Sequence, residues 1–281
     1  MSTKDITVII ASFKSGEKIK TCINSIDKQV KVIMVENSND LKIKNNIEKQ
    51  FSNVECILTG DNFGYGKSNN IGLKKVTTKY ALILNPDATL HSSTLLNFFQ
   101  SVKKIPEFSI IAPYKQENTN KEEKINLKNS NPIQTINVKG FAMFLNLSEF
   151  KNIGFFDENF FFYFEEIDLC KRLVDRGKKI YLVPDIIINH GGSHSHDQSI
   201  NEEMELSRNW HWMWSTFTYH KKYKGFFVSF LIVLPKLLSA FIKVLFYSLF
   251  FNRKKKQIYY QRLSGLINAI MGRSSWYRPK V

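Results

Sequence analysis

Three carboxylates, Glu165, Glu166 and Asp168, stand within four residues directly behind the aromatic run Phe160-Phe161-Phe162-Tyr163-Phe164. Ionised carboxylates beside aromatic walls suit a pocket that binds a polar, flat-faced molecule and takes a proton from it. The residues that follow predict a helix with Ile167, Cys170, Leu173 and Val174 on one apolar face. Glu165 and Asp168 share another face, and Asp168 and Arg172 form an acid-then-base pair one turn apart. Glu165 and Glu166 fall in the first turn, where the helix dipole favours an anion and keeps a carboxylate ionised. The alternative is a solvated acidic start to an ordinary helix, since acidic first turns are common.

The elements that must position these groups alternate between strand and helix. Ile6 to Ala11 is a β-branched run of the kind found in a buried parallel strand. A helix with Ile19, Cys22, Ile23 and Ile26 follows, then a strand at 31–35, a helix near 40–50, a strand at 54–58, a helix near 66–76 and a strand at 80–84. Short links between them predict an α/β fold with a mainly parallel sheet and right-handed crossovers. Ligands in such sheets sit at the carboxyl ends of strands. Three polar clusters fall at those ends: Ser12-Phe13-Lys14, Glu36-Asn37-Ser38 and Asn85-Pro86-Asp87.

Asn62 to Asn70 is Gly-rich and opens a helix, which permits close backbone approach and an encounter with phosphate. It lacks the spacing of a Walker loop. Residues 114–132 read as a polar surface loop, and a second β-rich stretch runs from Ile136 to Leu145. Beyond the acidic helix, a strand at 179–183 and the run Ile186-Ile187-Ile188 lead to His190, His194 and His196. Such a tract is either metal-binding or merely polar. His190 stands apart because it closes an apolar run, at the same kind of edge as the other clusters.

A chain of 281 residues that is 43% hydrophobic supports one large domain, or one domain with an appendage. Three widely spaced cysteines, Cys22, Cys56 and Cys170, form neither a disulfide framework nor a zinc site and point to a reducing compartment. Met1 to Asp5 has no apolar core of a secretory signal. The net charge of +15 is uneven: no acidic residue follows Glu205, while residues 206–281 hold 14 basic ones. A nearly neutral body therefore carries a strongly basic tail. Within it, no uncharged apolar run reaches the 18 or so residues of a membrane span. Lys236, Ser239, Lys243 and Tyr247 make a polar stripe, Arg253 to Lys256 is a basic cluster, and Leu263, Leu266, Ile267, Ile270 and Met271 make a second apolar face. This predicts helices lying in an anionic membrane interface. A core helix pair of the soluble body is the alternative. Nucleic acid is disfavoured, because the basic residues lie between aliphatic faces and not on a stacking platform.

Taken in order, these segments resemble the inverting family 2 glycosyltransferases of the GT-A fold, and most closely their rhamnosyltransferase-like branch, over about residues 5–275. Val8 to Lys14 resembles the family's opening strand, and Val35-Glu36-Asn37-Ser38 its Val-Asp-Asn-Ser segment. Asn62 to Asn70, with Gly64 and Tyr65, is similar to the segment beside the nucleotide. Asn85-Pro86-Asp87 stands in the place of the metal-binding D-x-D motif. Glu165 to Arg172 is similar to E-D-x-D-L-x-x-R, His190-Gly191-Gly192 to the late histidine, and Leu263 to Arg273 to a closing helix ending Gly-Arg. Glu36 and Glu166 replace the usual Asp, and Lys14 replaces Asn.

The resemblance implies a donor site made by Ser12, Phe13, Glu36, Asn37, Asn62, Gly64, Tyr65, Asn70, Asn85 and Asp87. It implies a divalent cation, Mg²⁺ or Mn²⁺, on Asp87 and His190. Glu166 becomes the base, with Glu165 and Asp168 orienting acceptor and helix. The donor would be a UDP- or dTDP-linked sugar, rhamnose among the candidates, and the acceptor a glycan or lipid-linked glycan in cell-surface polysaccharide synthesis. Residues 1–220 would be the catalytic domain and 221–281 a membrane-interface tail, with the protein cytoplasmic and held on the inner face of the plasma membrane. Two other classes remain: a silent nucleotide-sugar-binding or assembly protein, and a nucleotidyltransferase, which normally carries a richer basic glycine loop after its first strand.

Overall fold

The computed structural model describes residues 2–114, 131–191 and 195–279. Most of the 114–132 loop, and Gly192, Ser193 and His194 of the histidine tract, lie outside the described residues. The chain divides into two compact units. The first holds Met1–Phe63, Lys67–Phe156 and Leu169–Asp197; the second holds Gly64–Gly66, Asp157–Asp168 and Gln198–Val281. Residues 198–220 thus group with the basic tail.

The first unit is built on an eight-stranded sheet. Its strands are β1 (Ile6–Ser12), β2 (Lys31–Glu36), β3 (Val54–Leu58), β4 (Tyr80–Leu84), β6 (Ile110–Pro113), β7 (Ile133–Thr135), β8 (Ala142–Asn146) and β9 (Ile180–Val183), in the order β3-β2-β1-β4-β8-β6-β9-β7. The pairings among β3, β2, β1 and β4 are parallel, as is β6 with β9; β8 and β7 run antiparallel to their neighbours. The parallel half has the continuous apolar strands expected of a sheet covered on both faces, with Val8, Ile9 and Ile10 fully buried. Helices α1 (Glu17–Asn24), α2 (Leu41–Gln50), α3 (Gly64–Leu73) and α4 (Thr94–Lys104) follow β1, β2, β3 and β5 (Ala88–Leu90) in turn. Asp40 caps α2, accepting from the backbone N–H groups of Lys42 and Ile43.

The β-rich stretch from Ile136 to Leu145 is only in part a strand. Ile136 is 69% exposed, and pairing with β4 begins at Ala142. Strand β5 pairs antiparallel with β10 (Ile188–His190), setting His190 opposite Ala88. That small ribbon matters for the site below.

The second unit contains the start of α5 (Glu165–Val174), together with α6 (Asn201–Leu249) and α7 (Arg253–Ile270). Helix α6 is broken at Gly225, whose φ of 76° and ψ of 172° are not helical. Its core is Phe160, Trp210, Met213, Trp214, Phe217, Val233, Leu266 and Ala269. Gly265 is required there: a Cβ on it would lie 2.3 Å from the Trp210 carbonyl oxygen.

Within the polar stripe of α6, Ser239, Lys243 and Tyr247 are half-buried and Lys236 is exposed. Lys243 lies 4.9 Å over the Tyr259 ring, Tyr247 stacks on Tyr259 at 5.5 Å, and Lys236 is 6.0 Å from the Trp212 ring. A cation–π contact lets Lys243 pack against Tyr259 of α7. The opposite stripe, Phe227, Leu231, Leu238, Ile242, Leu245 and Leu249, is exposed, Phe227 by 82%. By length and composition α6 is long and apolar enough to cross a membrane, and only 17% of its most apolar window is buried.

Candidate active site

In the first unit, the polar clusters at the ends of β1, β2 and β4 are held by dense local hydrogen bonding. Glu36 is fully buried, and its carboxylate accepts from the hydroxyls of Ser12 and Ser38 and, at 2.7 Å, from the Ser38 backbone N–H. Ser12 and Glu36 are register partners, so this bond ties two parallel strands at their carboxyl ends. Asn37 extends the knot. Its Nδ2 donates to the Ser12 carbonyl (3.1 Å), and its Oδ1 accepts from Phe63 N–H (3.1 Å) and from the Ser68 hydroxyl (2.7 Å). Asn70 exchanges two bonds with the backbone of Phe156, at 2.9 and 3.0 Å. Ser12, Glu36, Asn37 and Asn70 therefore set backbone geometry, while Phe13 and Asn62 keep partial exposure.

The cluster after β4 has a different character. The ribbon of β5 and β10 brings His190, about a hundred residues away in sequence, to Asp87: His190 Nε2 is 3.3 Å from Asp87 Oδ1. Asn85 Nδ2 lies 3.4 Å from the same nitrogen. Phe141 stacks on the imidazole at 4.6 Å and fixes its plane, and Gly191 N–H donates to the Asp87 carbonyl at 3.2 Å. A neutral imidazole protonated at Nδ1 offers Nε2 to a cation, so one hard divalent ion can take both this nitrogen and the carboxylate. Among the described residues no third His, Cys, Asp or Glu joins them. Such a half-filled shell suits an ion that is completed by water and substrate phosphate.

In the second unit, the chain makes a sharp reversal into α5. Tyr163 and Phe164 both have left-handed backbones, with φ of 68° and 72°. For L-residues this costs roughly 1–2 kcal/mol each. The turn is held by its rings: Tyr163 meets Trp212 edge-on at 5.2 Å, and Phe164 packs on Tyr219 at 5.0 Å. Ser215 donates to the Phe162 carbonyl at 2.8 Å. Gly64 is obligatory here, because a Cβ on it would lie 2.3 Å from the Phe161 carbonyl oxygen, which also accepts from Tyr65 N–H at 3.2 Å. The reversal delivers Glu165 and Glu166 at the helix start, where Asp168 N–H bonds the Phe164 carbonyl at 2.8 Å.

Burial reverses the expected direction in which the proton affinity of the two glutamates shifts. Burial, then the charge of Glu166, holds Glu165 well above the ordinary carboxylate range. Burial also raises Glu166, against the opposing pull of its own and Ile167's backbone N–H groups. Tyr65 feels the same environment, its phenol raised by burial and then by Glu165 and Glu166. The helix dipole favours an anion, but desolvation outweighs it here. The result is a close carboxyl pair with raised proton affinity, which is a stronger base than an exposed glutamate. Glu166 is the more accessible of the two.

Asp168 is buried completely, so the face it shares with Glu165 is not solvated. Its Oδ1 accepts from Lys222 Nζ at 2.6 Å and from the Tyr223 hydroxyl at 2.7 Å. Neither partner stands out in the sequence, where Lys222 is one of three lysines between 221 and 224. Arg172 donates to the carbonyls of Ile153 (3.0 Å) and Phe155.

Residues 7–170 match the family described as Glycosyl transferase family 2. Among curated proteins, the chain is 27% identical over 190 residues to the low-salt glycan biosynthesis hexosyltransferase Agl10 of Haloferax volcanii, covering 60% of this chain and 61% of that one. It therefore spans about three fifths of that relative's length. It is 26% identical over 251 residues to the rhamnosyltransferase WbbL of Escherichia coli, covering 76% of this chain and 92% of that one. Among solved structures, the mannosyltransferase PcManGT from Pyrobaculum calidifontis, in complex with GDP-Man and Mn²⁺, aligns at a TM-score of 0.59 and 11% identity, covering 95% of this chain and 87% of that one. S. aureus TarS 1-349 aligns at 0.54 and 14%, covering 98% and 93%. These likenesses show the GT-A fold, with its mostly parallel mixed sheet flanked by helices.

Proposed function

Because the chain belongs to glycosyl transferase family 2 and is a glycosyltransferase by that membership, we propose that it inverts configuration while moving a hexosyl or rhamnosyl group from a nucleoside diphosphate to an acceptor. The acceptor is the hydroxyl of a glycan or lipid-linked glycan in cell-surface polysaccharide synthesis. Relatives named hexosyltransferase and rhamnosyltransferase support the sugar class, and UDP- and dTDP-sugars are the first donors to test. The observation that carries the mechanism is the Glu165–Glu166 pair at the start of α5, Glu165 buried and Glu166 half-buried.

Inversion needs one displacement: the acceptor oxygen bonds the anomeric carbon as the bond to the diphosphate breaks, and the acceptor's proton leaves. Glu166 takes that proton, and its burial gives it the affinity to do so. Glu165 shares the pair's charge and orients the acceptor. Asp168, engaged by Lys222 and Tyr223, holds the helix start and is not the base. Ser12, Glu36, Asn37 and Asn70 fix the strand ends and loops around the nucleotide, and Phe13, Asn62 and Asn85 contact it. Asp87 and His190 would hold a divalent cation, Mg²⁺ or Mn²⁺, which when bound neutralises charge on the departing diphosphate.

The test is product identity after incubation with UDP- and dTDP-sugars, acceptor and Mg²⁺ or Mn²⁺. Nucleoside diphosphate release is expected. Pyrophosphate would indicate nucleotidyl transfer, and donor binding with no release would indicate a silent binding protein.

The exposed stripe of α6, the basic cluster Arg253 to Lys256 at the start of α7, and the absence of acidic residues after Glu205 support a seat on an anionic lipid surface. Because Val233, Leu266 and Ala269 belong to the core of the second unit, deleting the tail would unfold that core. Point substitutions are the cleaner probe. Full-length protein is expected to float with phosphatidylglycerol vesicles, and the combined change Phe227→Ser, Leu231→Ser, Ile242→Ser and Leu245→Ser to abolish flotation with the fold retained. Flotation that survives those changes, or is absent in the unsubstituted protein, would remove the membrane from the account.

A further inference from the structure

Within the second unit, one side chain joins the two ends of the segment that carries the glutamate pair. Lys222 Nζ donates to Asp157 Oδ2 at 2.7 Å and to Asp168 Oδ1 at 2.6 Å. These carboxylates bracket the stretch 157–168, which contains the aromatic reversal and both glutamates. Each end is further tied: Asp157 Oδ1 accepts from the backbone and side chain of Asn159 at 3.1 and 2.8 Å, and Asp168 Oδ1 accepts from Tyr223 at 2.7 Å. Burial pushes the Asp157 carboxyl up, but the bonds from Lys222 and Asn159 outweigh it and leave it below its ordinary value. Two residues beyond Tyr223, the helix breaks at Gly225, so Lys222 and Tyr223 close the last turn before the exposed apolar segment.

We propose that Lys222 is a positioning residue for the Glu165–Glu166 pair, acting as a clasp that fixes both ends of the strained aromatic segment and balances the charge of Asp168. The left-handed backbones at Tyr163 and Phe164 need a surrounding structure that over-determines them. Ring packing holds the middle of the segment, and the lysine holds its ends. The clasp also acts electrostatically. Without the ammonium, the negative charge of Asp168 stands one helical turn from Glu165, and a like charge makes a carboxyl pair hold its proton more tightly. Tyr65 and Tyr163 feel the charge of the pair, both raised chiefly by burial, with Arg208 acting on Tyr163 in the opposite sense; Lys222 and Tyr223 donate to Asp168.

This inference rests on the glycosyl-transfer reading, with Glu166 as base. Lys222→Met is expected to lower kcat by about tenfold or more, with donor KM within about threefold. The acid limb of its kcat–pH profile should move to higher pH, so that raising pH recovers part of the loss. Lys222→Arg, which can still bridge two carboxylates, should restore most of kcat. The double variant Lys222→Met/Asp168→Asn should bring the limb back, because it removes the unbalanced charge. A wild-type kcat and limb in Lys222→Met overturns the proposal. So does a loss that is equal at every pH and not rescued by arginine, which is what a merely structural role would produce. If Lys222→Met fails to fold by circular dichroism, Asp157→Asn removes one arm of the clasp; lower kcat at unchanged donor KM supports the proposal and unchanged kcat overturns it. Glu166→Gln measured in parallel separates the two levels: an active Glu166→Gln overturns the base assignment whatever Lys222 does.

Discussion

Glu166→Gln is expected to reduce sugar transfer by about 10²-fold or more while donor binding survives. Glutamine keeps the shape and the partial burial but cannot accept the acceptor's proton. The wild-type pH profile should show the origin of the effect. Burial raises Glu166 above its ordinary value of 4.5, and the base works only when ionised, so kcat should still be climbing with pH above that value. The limb belongs to the coupled pair, so it reports Glu165 and Glu166 together. Glu166→Asp restores the family's usual residue and is expected to retain activity, unless its neighbours are matched to the longer side chain. Asp168→Asn is the informative contrast: it leaves the pair intact but removes one arm of the Lys222 clasp, and is expected to lower kcat by far less than Glu166→Gln. Near wild-type transfer by Glu166→Gln, with loss in Asp168→Asn, would move the base to Asp168.

Asp87→Ala should abolish the metal dependence of donor binding. The fold should persist, because the local structure uses the Asp87 backbone, whose carbonyl accepts from Gly191 N–H, and because Phe141 independently holds the His190 ring. Loss of the carboxylate removes the only anionic ligand of the pair. If this withdraws about 3 kcal/mol of charge stabilisation from the departing diphosphate, kcat/KM falls by about 10²-fold. Thermal shift with UDP- or dTDP-sugar, with and without Mg²⁺ or Mn²⁺, provides a readout apart from turnover: the metal-dependent stabilisation seen in the wild type should vanish. An unchanged shift would show that Asp87 does not hold the cation. His190→Ala is a weaker probe, since it also removes the stack on Phe141.

Much of this architecture is written locally in the chain. The short apolar runs of β1, β2 and β4 read as buried strands, and in an α/β sheet the polar residues ending each run fall at one edge. Asp87 reads from local pattern as a carboxylate at a strand end and Glu166 as one of three at a helix start; the roles proposed for them come from the family resemblance. What local pattern cannot encode is the partner. His190 reaches Asp87 only because β5 and β10 pair antiparallel. Lys222, among several similar lysines, is selected only by where Asp157 and Asp168 lie. Helical periodicity separated the lysine stripe of α6 from its apolar stripe, but it could not say which faces inward. For Lys243 the ring of Tyr259 on α7 decides that by accepting the ammonium group on its face, while Lys236 stays exposed. The direction in which the glutamates' proton affinity shifts is reversed for a similar reason: the first-turn dipole is a property of the local helix, whereas desolvation depends on everything folded around it, and here it is the larger effect.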